Sequence, residues 1–272
     1  MEMFSPLVII LTLSMGAFAG FLAGLLGIGG GVILVPLFLW LFPIIGFAPE
    51  VVVHSAFGTS LAIILPTAIS NSFGHRQHGN VDWHMVVFLA LGGLLGSLLG
   101  SSAAAQISGD KLKLCFGLMQ IAVSLKLLLY KQPYLPPEDP NYAGRIPLLL
   151  VGFVGGFFSA FFGIGGGVIA VPLMLILLRL PIHLAVGNSS ALIVVSSFAA
   201  VSCYVWYGLE ETIAVPFSFG YVNLLVAVIV APLSMFFARL GVKLASRTSQ
   251  AKLVKAFAVL LLCVGLKILL KL

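Results

Sequence analysis

Two runs of adjacent glycines stand at positions where the backbone itself could do chemistry. Each run is followed directly by an apolar segment. If a helix begins there, its first amides have no partner within the helix and carry the positive end of the helix dipole. Because glycine has no side chain, a small oxyanion can approach these amides closely. We therefore predict an anion site at the two runs, formed by Gly29, Gly30, Gly31, Gly165, Gly166 and Gly167.

Hydroxyl and amide side chains recur at matching positions a little further along each half of the chain. The candidates are Thr59, Ser60, Asn188 and Ser189, with Ser190 beside them. These groups could donate hydrogen bonds to an oxyanion without burying a full charge. They could equally hydrogen-bond between helices, which is common for Ser and Thr in membranes. Asn71 and Ser72 are secondary candidates in the same segment as Thr59.

The composition requires that these groups lie in a membrane protein. The chain has 272 residues, of which 61% are hydrophobic and 8% charged, whereas soluble domains carry about 25% charged residues. Runs such as 3–49 and 212–238 contain no Asp, Glu, Lys or Arg. These continuous apolar runs exclude a soluble enzyme, a disordered chain and a membrane β-barrel, and they indicate helices that span a lipid bilayer.

One unit occurs twice. Residues 20–39 and 156–175 match at thirteen of twenty positions, and the match continues from His54 and His183 toward the end of each half. Each half contains five apolar segments, so the fold class predicted is an all-α integral membrane protein with Gly-rich helix breaks at the membrane interior. The predicted segments are 5–26, 29–47, 51–73, 83–105 and 111–130, then 146–162, 165–180, 183–206, 213–238 and 251–271.

The number of crossings predicts that the two repeats have inverted topology. The first two segments of each unit meet at the glycines, either as two full spans or as a hairpin that turns inside the membrane. Both alternatives leave an odd number of net crossings per unit. We assign residues 1–131 and 146–272 to the repeats and the Pro-rich segment 132–145 to a linker. Ten of the fourteen basic residues fall on the linker side, which predicts a cytoplasmic linker and both termini outside the cytoplasmic membrane.

Other glycines are better explained by helix packing. Gly16, Gly20 and Gly24 form a ridge with a spacing of four, and Gly92, Gly96 and Gly100 form another. Small residues at this spacing let membrane helices approach closely. Three adjacent glycines make a poor ridge, because neighbouring residues point to different faces of a helix.

Titratable residues give no sign of catalysis. His54 and His183 are repeat-related and are interpreted as interfacial caps, as are Asp82 and Glu211. The histidines between 75 and 84 match no strong metal-binding spacing. No H-E-x-x-H or Walker motif occurs. We expect no metal, no cofactor, no nucleic-acid partner and no enzymatic activity.

The duplicated Gly-x-Gly-Gly-Gly-Val-Ile-x-Val-Pro-Leu block resembles the sulfite exporter TauE/SafE family of membrane permeases, as does the segment Ala56 to Ser60. This resemblance implies a secondary transporter for a small sulfur-containing anion such as sulfite or an organosulfonate, proton-linked in some members. Asn188 departs from the Thr expected there. The alternative is a channel or uniporter for another small anion or a neutral sulfur compound. The sequence specifies neither the particular anion nor the oligomeric state.

Overall fold

The computed structural model describes residues 6–26, 29–129, 144–210, 216–245 and 250–270. Ten helices form within these ranges. Those of the first half are α1 (Pro6–Leu26), α2 (Gly31–Ile44), α3 (Pro49–Gln77), α4 (Trp83–Ala105) and α5 (Gly109–Leu129). Those of the second half are α6 (Arg145–Phe162), α7 (Gly167–Ile176), α8 (Ile182–Leu209), α9 (Leu224–Ala245) and α10 (Gln250–Leu269). The predicted all-α membrane fold is confirmed, since five of these helices are long and apolar enough to cross a membrane.

The helices that follow the glycine runs are too short to cross. Helix α2 has 14 residues and α7 has 10, which correspond to about 21 Å and 15 Å at 1.5 Å per residue, against a hydrocarbon core of about 30 Å. Between the two alternatives left open by the sequence, these lengths favour hairpins that turn inside the membrane.

Most of the packing joins one half of the chain to the other. Helix α4 packs along α6, α1 along α9, α3 against α8, and α5 against α10. In the repeat, α4 corresponds to α9 and α6 corresponds to α1. The pair α4–α6 is therefore equivalent to the pair α1–α9. Repeat-equivalent α3 and α8 pack on one another at the centre. The hydrophobic core is therefore shared between the halves.

The glycine ridges make these contacts possible, as predicted. A Cβ added at Gly96 of α4 would overlap the carbonyl oxygen of Phe153 in α6. A Cβ added at Gly20 of α1 would overlap the backbone of Ser234 in α9. Backbones this close require a residue without a side chain on one of the two helices.

The contacts of α3 and α8 show that these helices run in opposite directions. Near the start of α3, Gly58 lies against Tyr221, which follows α8 in the chain. Near the start of α8, Gly187 lies against Asn80, which follows α3. We call the end of the molecule where α3 begins the Thr59 end, and the end where α8 begins the Asn188 end. Opposite directions are what inverted repeats require, and the orientation in the membrane remains a prediction.

The predicted ninth segment, 213–238, is wrong at its start. Helix α9 begins at Leu224, because residues 218–223 form a two-stranded antiparallel hairpin, β1 (Ser218–Phe219) and β2 (Val222–Asn223). The chain turns at Gly220, where φ is +57°, a conformation that favours glycine. Apolar composition continues through the hairpin, so the composition alone did not reveal this break. Residues 211–215 and nearly all of the predicted linker 132–145 lie outside the described residues.

Candidate functional site

The two glycine runs lie against each other at the centre of the molecule. A Cβ built on Gly29 would lie 3.4 Å from the carbonyl oxygen of Gly165, and one on Gly31 would lie 2.5 Å from the Ile164 Cα. All six predicted glycines are buried. The structure thus brings together two segments that are separated by more than a hundred residues in the sequence.

Left-handed backbone conformations aim the two helix starts at this contact. Gly29 and Gly30 have φ of +81° and +79°, and Gly165 and Gly166 have φ of +79° and +68°. Gly30 and Gly166 are the N-caps of α2 and α7. Side chains other than glycine's rarely adopt these angles. In the first turns, the N–H of Ile33 binds the carbonyl of Gly30, and the N–H groups of Gly167 and Ile169 bind the carbonyls of Gly165 and Gly166. Among the described residues, the amides of Gly31, Val32 and Val168 are left without such a bond, at the positive ends of the two helix dipoles.

Three buried hydroxyls close to this contact have no hydrogen-bond partner among the described residues. They belong to Ser60, Ser159 and Ser189. Ser60 lies one turn before Ile64, whose side chain contacts Gly165, and Ser189 lies one turn before Ile193, which contacts both runs. Residues four apart share a helix face. A buried hydroxyl without a partner has lost its hydration without compensation, so these groups are available to a ligand.

Ser159 is a candidate site residue that the sequence reasoning missed. Its Oγ lies 3.3 Å from the position that a Cβ on Gly166 would occupy. Ala23 occupies the equivalent position beside Gly30, with its Cβ 3.0 Å from the Gly30 Cβ position. The two breaks therefore differ by one hydroxyl. The difference is visible when residues 20–39 are aligned with 156–175, but the alignment alone does not show that the hydroxyl is unpaired.

Thr59 and Asn188, both predicted to bind an anion, make hydrogen bonds between the halves instead. The Thr59 Oγ1 atom accepts a 2.9 Å hydrogen bond from the backbone N–H of Asn223. The Asn188 Oδ1 atom accepts a 2.8 Å hydrogen bond from the backbone N–H of Asp82. The Thr-to-Asn departure therefore preserves an acceptor at each position. This arrangement accounts for both residues as interhelical partners, one of the two alternatives for them.

The predicted helix cap at Asp82 is confirmed, and its counterpart is a residue that the repeat alignment did not pair with it. Asp82 Oδ1 accepts hydrogen bonds from the N–H groups of His84 and Met85. In the second half, Asn223 Oδ1 accepts from the N–H of Val226. Glu211 lies outside the described residues. The two residues that cap α4 and α9 also donate their backbone N–H groups to Asn188 and Thr59, so each links two elements.

The buried histidine of α3, His54, caps the C-terminal end of the neighbouring helix α4. His54 Nε2 lies 3.2 Å from the carbonyl oxygen of Ala104 and 3.1 Å from that of Ile107, at the end of α4. Its ring stacks on Tyr221. His183, its repeat equivalent, is exposed. His54 therefore supports the interpretation as a cap, although the helix it caps is α4. No group of three potential metal ligands occurs in the part of the chain that the structure describes.

Two further side chains satisfy backbone groups beside the breaks. Tyr204 of α8 donates its hydroxyl to the carbonyl of Ala160, near the end of α6, at 3.1 Å. Gln120 of α5 donates to the carbonyl of Val32, in the first turn of α2, at 3.1 Å. Both side chains are fully buried. They tie the breaks to helices that sequence reasoning did not connect with them.

The contact between the breaks is closed in this conformation. One cavity of about 320 Å³ lies between α6 and α7 and is lined by residues such as Leu150 and Leu173. Another, of about 250 Å³, lies between α1 and α9 beside Phe21 and Leu240. Neither includes a glycine of the breaks. Because all six glycines of the breaks are buried, access to them requires the surrounding helices to move apart.

The chain matches known membrane transporters over almost its whole length. The family model for the sulfite exporter TauE/SafE matches residues 12–268. A probable membrane transporter protein of Xylella fastidiosa is 35% identical over 78% of this chain and 80% of its own length. Another, of Haemophilus influenzae, is 29% identical over 97% of this chain and 98% of its own.

More distant relatives include the probable membrane transporter protein YunE of Bacillus subtilis, which is 26% identical over 92% of this chain and 93% of its own length. No solved structure matches the chain significantly. The matched region contains both glycine breaks and all the helices that position them. The chain is therefore a multi-pass membrane transporter that belongs to the sulfite exporter TauE/SafE family.

Proposed function

We propose that this transporter carries a small sulfur-containing anion, such as sulfite or an organosulfonate, by alternating access between its two repeats. The observation that carries the proposal is the contact between Gly29 and Gly165, which directs two helix N-termini at one buried place. The name of the family, sulfite exporter, supports the choice of a sulfur anion.

The donors around the breaks suit an oxyanion with several oxygens. Amides at the starts of α2 and α7 would bind the oxygens from two directions, with no buried cation required. The hydroxyls of Ser60, Ser159 and Ser189 would donate to the remaining oxygens. Hydrogen bonds to a charged acceptor are stronger than those between neutral groups. Because it contains no buried cation, such a site would bind an anion with moderate affinity and could release it.

Alternating access follows from how the halves meet. The breaks belong to different repeats and pack against each other, so the site opens at one end when the repeats separate there. One hydrogen bond joins the halves at each end: the N–H of Asn223 donates to Thr59 at the Thr59 end, and the N–H of Asp82 donates to Asn188 at the Asn188 end. The predicted linker joins α5 to α6 at the Asn188 end. We infer that this end faces the cytoplasm, with both termini outside the cytoplasmic membrane.

Proton coupling, if present, would use the substrate itself. The four carboxylates among the described residues, those of Glu50, Asp82, Asp110 and Glu210, lie at helix ends, and none lies beside the breaks. Bisulfite and sulfite interconvert near neutral pH, so an anion carried in its protonated form would move a proton with it. The structure of the site requires no separate proton-carrying side chain for this.

Flux through purified protein in proteoliposomes tests the proposal. Vesicles loaded with sulfite are diluted into medium with sulfate, thiosulfate, taurine or sulfoacetate, with and without a pH gradient. We expect saturable sulfite flux that one of these sulfur compounds inhibits. If folded protein carried none of these anions, the sulfur-anion proposal would be overturned. Flux that ignores the pH gradient would overturn proton transfer by the substrate.

A further inference from the structure

A line of polar side chains joins α3 to α9 between the glycine breaks and the Asn188 end. Thr67 donates its hydroxyl to the carbonyl of Ile63 in its own helix at 2.9 Å, and its Oγ1 also lies 3.4 Å from Ser234 Oγ. Further along, Arg239 Nε donates to Ser70 Oγ at 3.0 Å. Thr67 lies close after Ile64, the residue that contacts Gly165. Polar groups therefore continue from the breaks almost to the end of both helices. We call this line, made by Thr67, Ser70, Asn71, Ser234 and Arg239, the polar seam.

The equivalent positions between α8 and α4, which lead to the Thr59 end, lack four of these five side chains. Counting from Thr59 and Asn188, the places of Ser70 and Asn71 are taken by Ala199 and Ala200. Counting from the caps Asp82 and Asn223, those of Ser234 and Arg239 are taken by Gly93 and Leu98.

The second line lacks the cation and the amide of the polar seam but keeps hydroxyl groups. Leu192 of α8 packs directly over Gly93 of α4. The hydroxyl of Ser196, the equivalent of Thr67, bonds to the carbonyl of Ile193 in its own helix at 3.3 Å, as that of Thr67 does to the carbonyl of Ile63. Further buried serines of these two helices include Ser97, Ser101 and Ser197. The cation and the amide of the polar seam are thus a difference between the repeats.

Two groups in the polar seam are suited to an anionic ligand. Arg239 is exposed and is the third residue from the end of the apolar stretch Leu224–Gly241, which is long enough to span the membrane. It therefore places a positive charge at the Asn188 end of the seam. The second group is Asn71, whose buried Oδ1 has no hydrogen-bond partner among the described residues. The two ends of an Asn amide can exchange places, so Asn71 can also present N–H donors.

We propose that the polar seam is the route by which the anion passes between the glycine breaks and the Asn188 end, and that Arg239 selects for negative charge at its mouth. This inference rests on the proposed function only in taking the cargo to be an anion. Arg239 is exposed, so its charge is felt outside the seam, while its bond to Ser70 fixes the guanidinium at the α3 side. The counterpart line has neither the cation nor the amide, which predicts that the Thr59 end does not select for charge in this way.

Thiol labelling tests the route without knowledge of the cargo. The native Cys115, Cys203 and Cys263 are first replaced, and Asn71→Cys is then introduced as the probe, with Ala200→Cys as its repeat-equivalent control. Protein in proteoliposomes of known orientation is treated with an anionic methanethiosulfonate (MTSES) or a cationic one (MTSET). Arg239→Gln is added to each probe, and Lys243→Gln, one turn further along α9, is the matched loss of a cation. If Asn71→Cys fails to fold, Thr67→Cys replaces it.

We expect Asn71→Cys to react from the Asn188 end, with MTSES about tenfold faster than MTSET, as for a cleft that concentrates anions. The preference disappears with Arg239→Gln and survives Lys243→Gln. The Ala200→Cys control shows no anion preference. If the probe is unreactive, or its preference ignores Arg239, while sulfite flux is normal, the route is overturned and the proposed function stands. If labelling follows the expectation but no sulfur anion moves, the route stands and the proposed cargo fails.

Discussion

The side-chain oxygen of Asn188 accepts a 2.8 Å hydrogen bond from the backbone N–H of Asp82, which links the start of α8 to the start of α4. Thr59 accepts from Asn223 in the same way at the opposite end, at 2.9 Å. Each bond joins the third helix of one half to the fourth helix of the other. These two bonds hold the halves together on either side of the glycine breaks.

Loss of the Asn188 acceptor should destabilise the protein, and threonine should partly replace it. Asn188→Ala leaves the Asp82 N–H without its acceptor, which should lower the free energy of unfolding by about 1–3 kcal/mol. Asn188→Thr restores the residue type found at position 59. We expect a lower thermal unfolding midpoint in detergent for the Ala variant and an intermediate one for the Thr variant. Equal midpoints for all three proteins would show that this bond contributes nothing.

The packing role of the ridge glycines is tested by a pair of Gly-to-Ala changes. In Gly96→Ala the new methyl group overlaps the Phe153 carbonyl, and overpacking of this kind costs about 1–3 kcal/mol. Gly74, also helical, has no atom within 4 Å of its Cβ position. Gly74→Ala should therefore leave stability unchanged or raise it, because alanine favours helix. A Gly96→Ala protein as stable as the Gly74→Ala protein would refute close packing of α4 on α6.

A matched pair of glycines separates backbone strain from a role at the site. Gly166 and Gly79 both have positive φ, +68° and +72°, so alanine carries a similar conformational cost of about 1–2 kcal/mol at either position. Only Gly166 lies at a break, with the Ser159 Cβ 3.0 Å from its Cβ position. We expect Gly166→Ala to lower sulfite flux at least about tenfold, because the added methyl group blocks the approach of the anion to the first amides of α7. Gly79→Ala should transport normally. Equal flux in the two variants would contradict a site at the break.

Ser159 should matter for transport and not for stability. Because its hydroxyl has no partner in the described structure, Ser159→Ala removes an unsatisfied polar group and should leave the unfolding midpoint unchanged or higher. If the hydroxyl donates to the anion, KM should rise about tenfold, as for one hydrogen bond to a charged group. A lower midpoint with an unchanged KM would show a structural role. Ala23→Ser, which adds a hydroxyl at the other break, should change KM, but it should not restore the wild-type KM to the Ser159→Ala protein.

Local patterns in the sequence predict much of the architecture. Apolar runs predict the membrane helices, and the spacing of Gly92, Gly96 and Gly100 predicts their close packing. The adjacent glycines predict where helices begin. These features depend on a few neighbouring residues, and the structure preserves them. The charge-free run 212–238 does not predict the hairpin before α9, since no charged residue separates the hairpin from the helix.

The details of the site depend on contacts that no local pattern encodes. Thr59 and Ser60 are neighbours of similar chemistry, yet Thr59 binds the N–H of Asn223 and Ser60 has no partner among the described residues. Their difference arises from which side of α3 faces α9. In the same way, the unpaired hydroxyl of Ser159 is apparent only once α6 and the start of α7 are in contact.

Counterflow of radiolabelled sulfite in proteoliposomes tests the central claim, that two glycine breaks form one alternating anion site, most directly. Vesicles preloaded with unlabelled sulfite, containing the wild-type protein, Gly166→Ala or Gly79→Ala, receive a trace of label outside. We expect transient accumulation of label in the wild-type and Gly79→Ala vesicles, and accumulation at least about tenfold slower with Gly166→Ala, because a carrier exchanges substrate through one site. Label that equilibrates without accumulating would indicate a channel, and accumulation at the wild-type rate with Gly166→Ala would contradict the site.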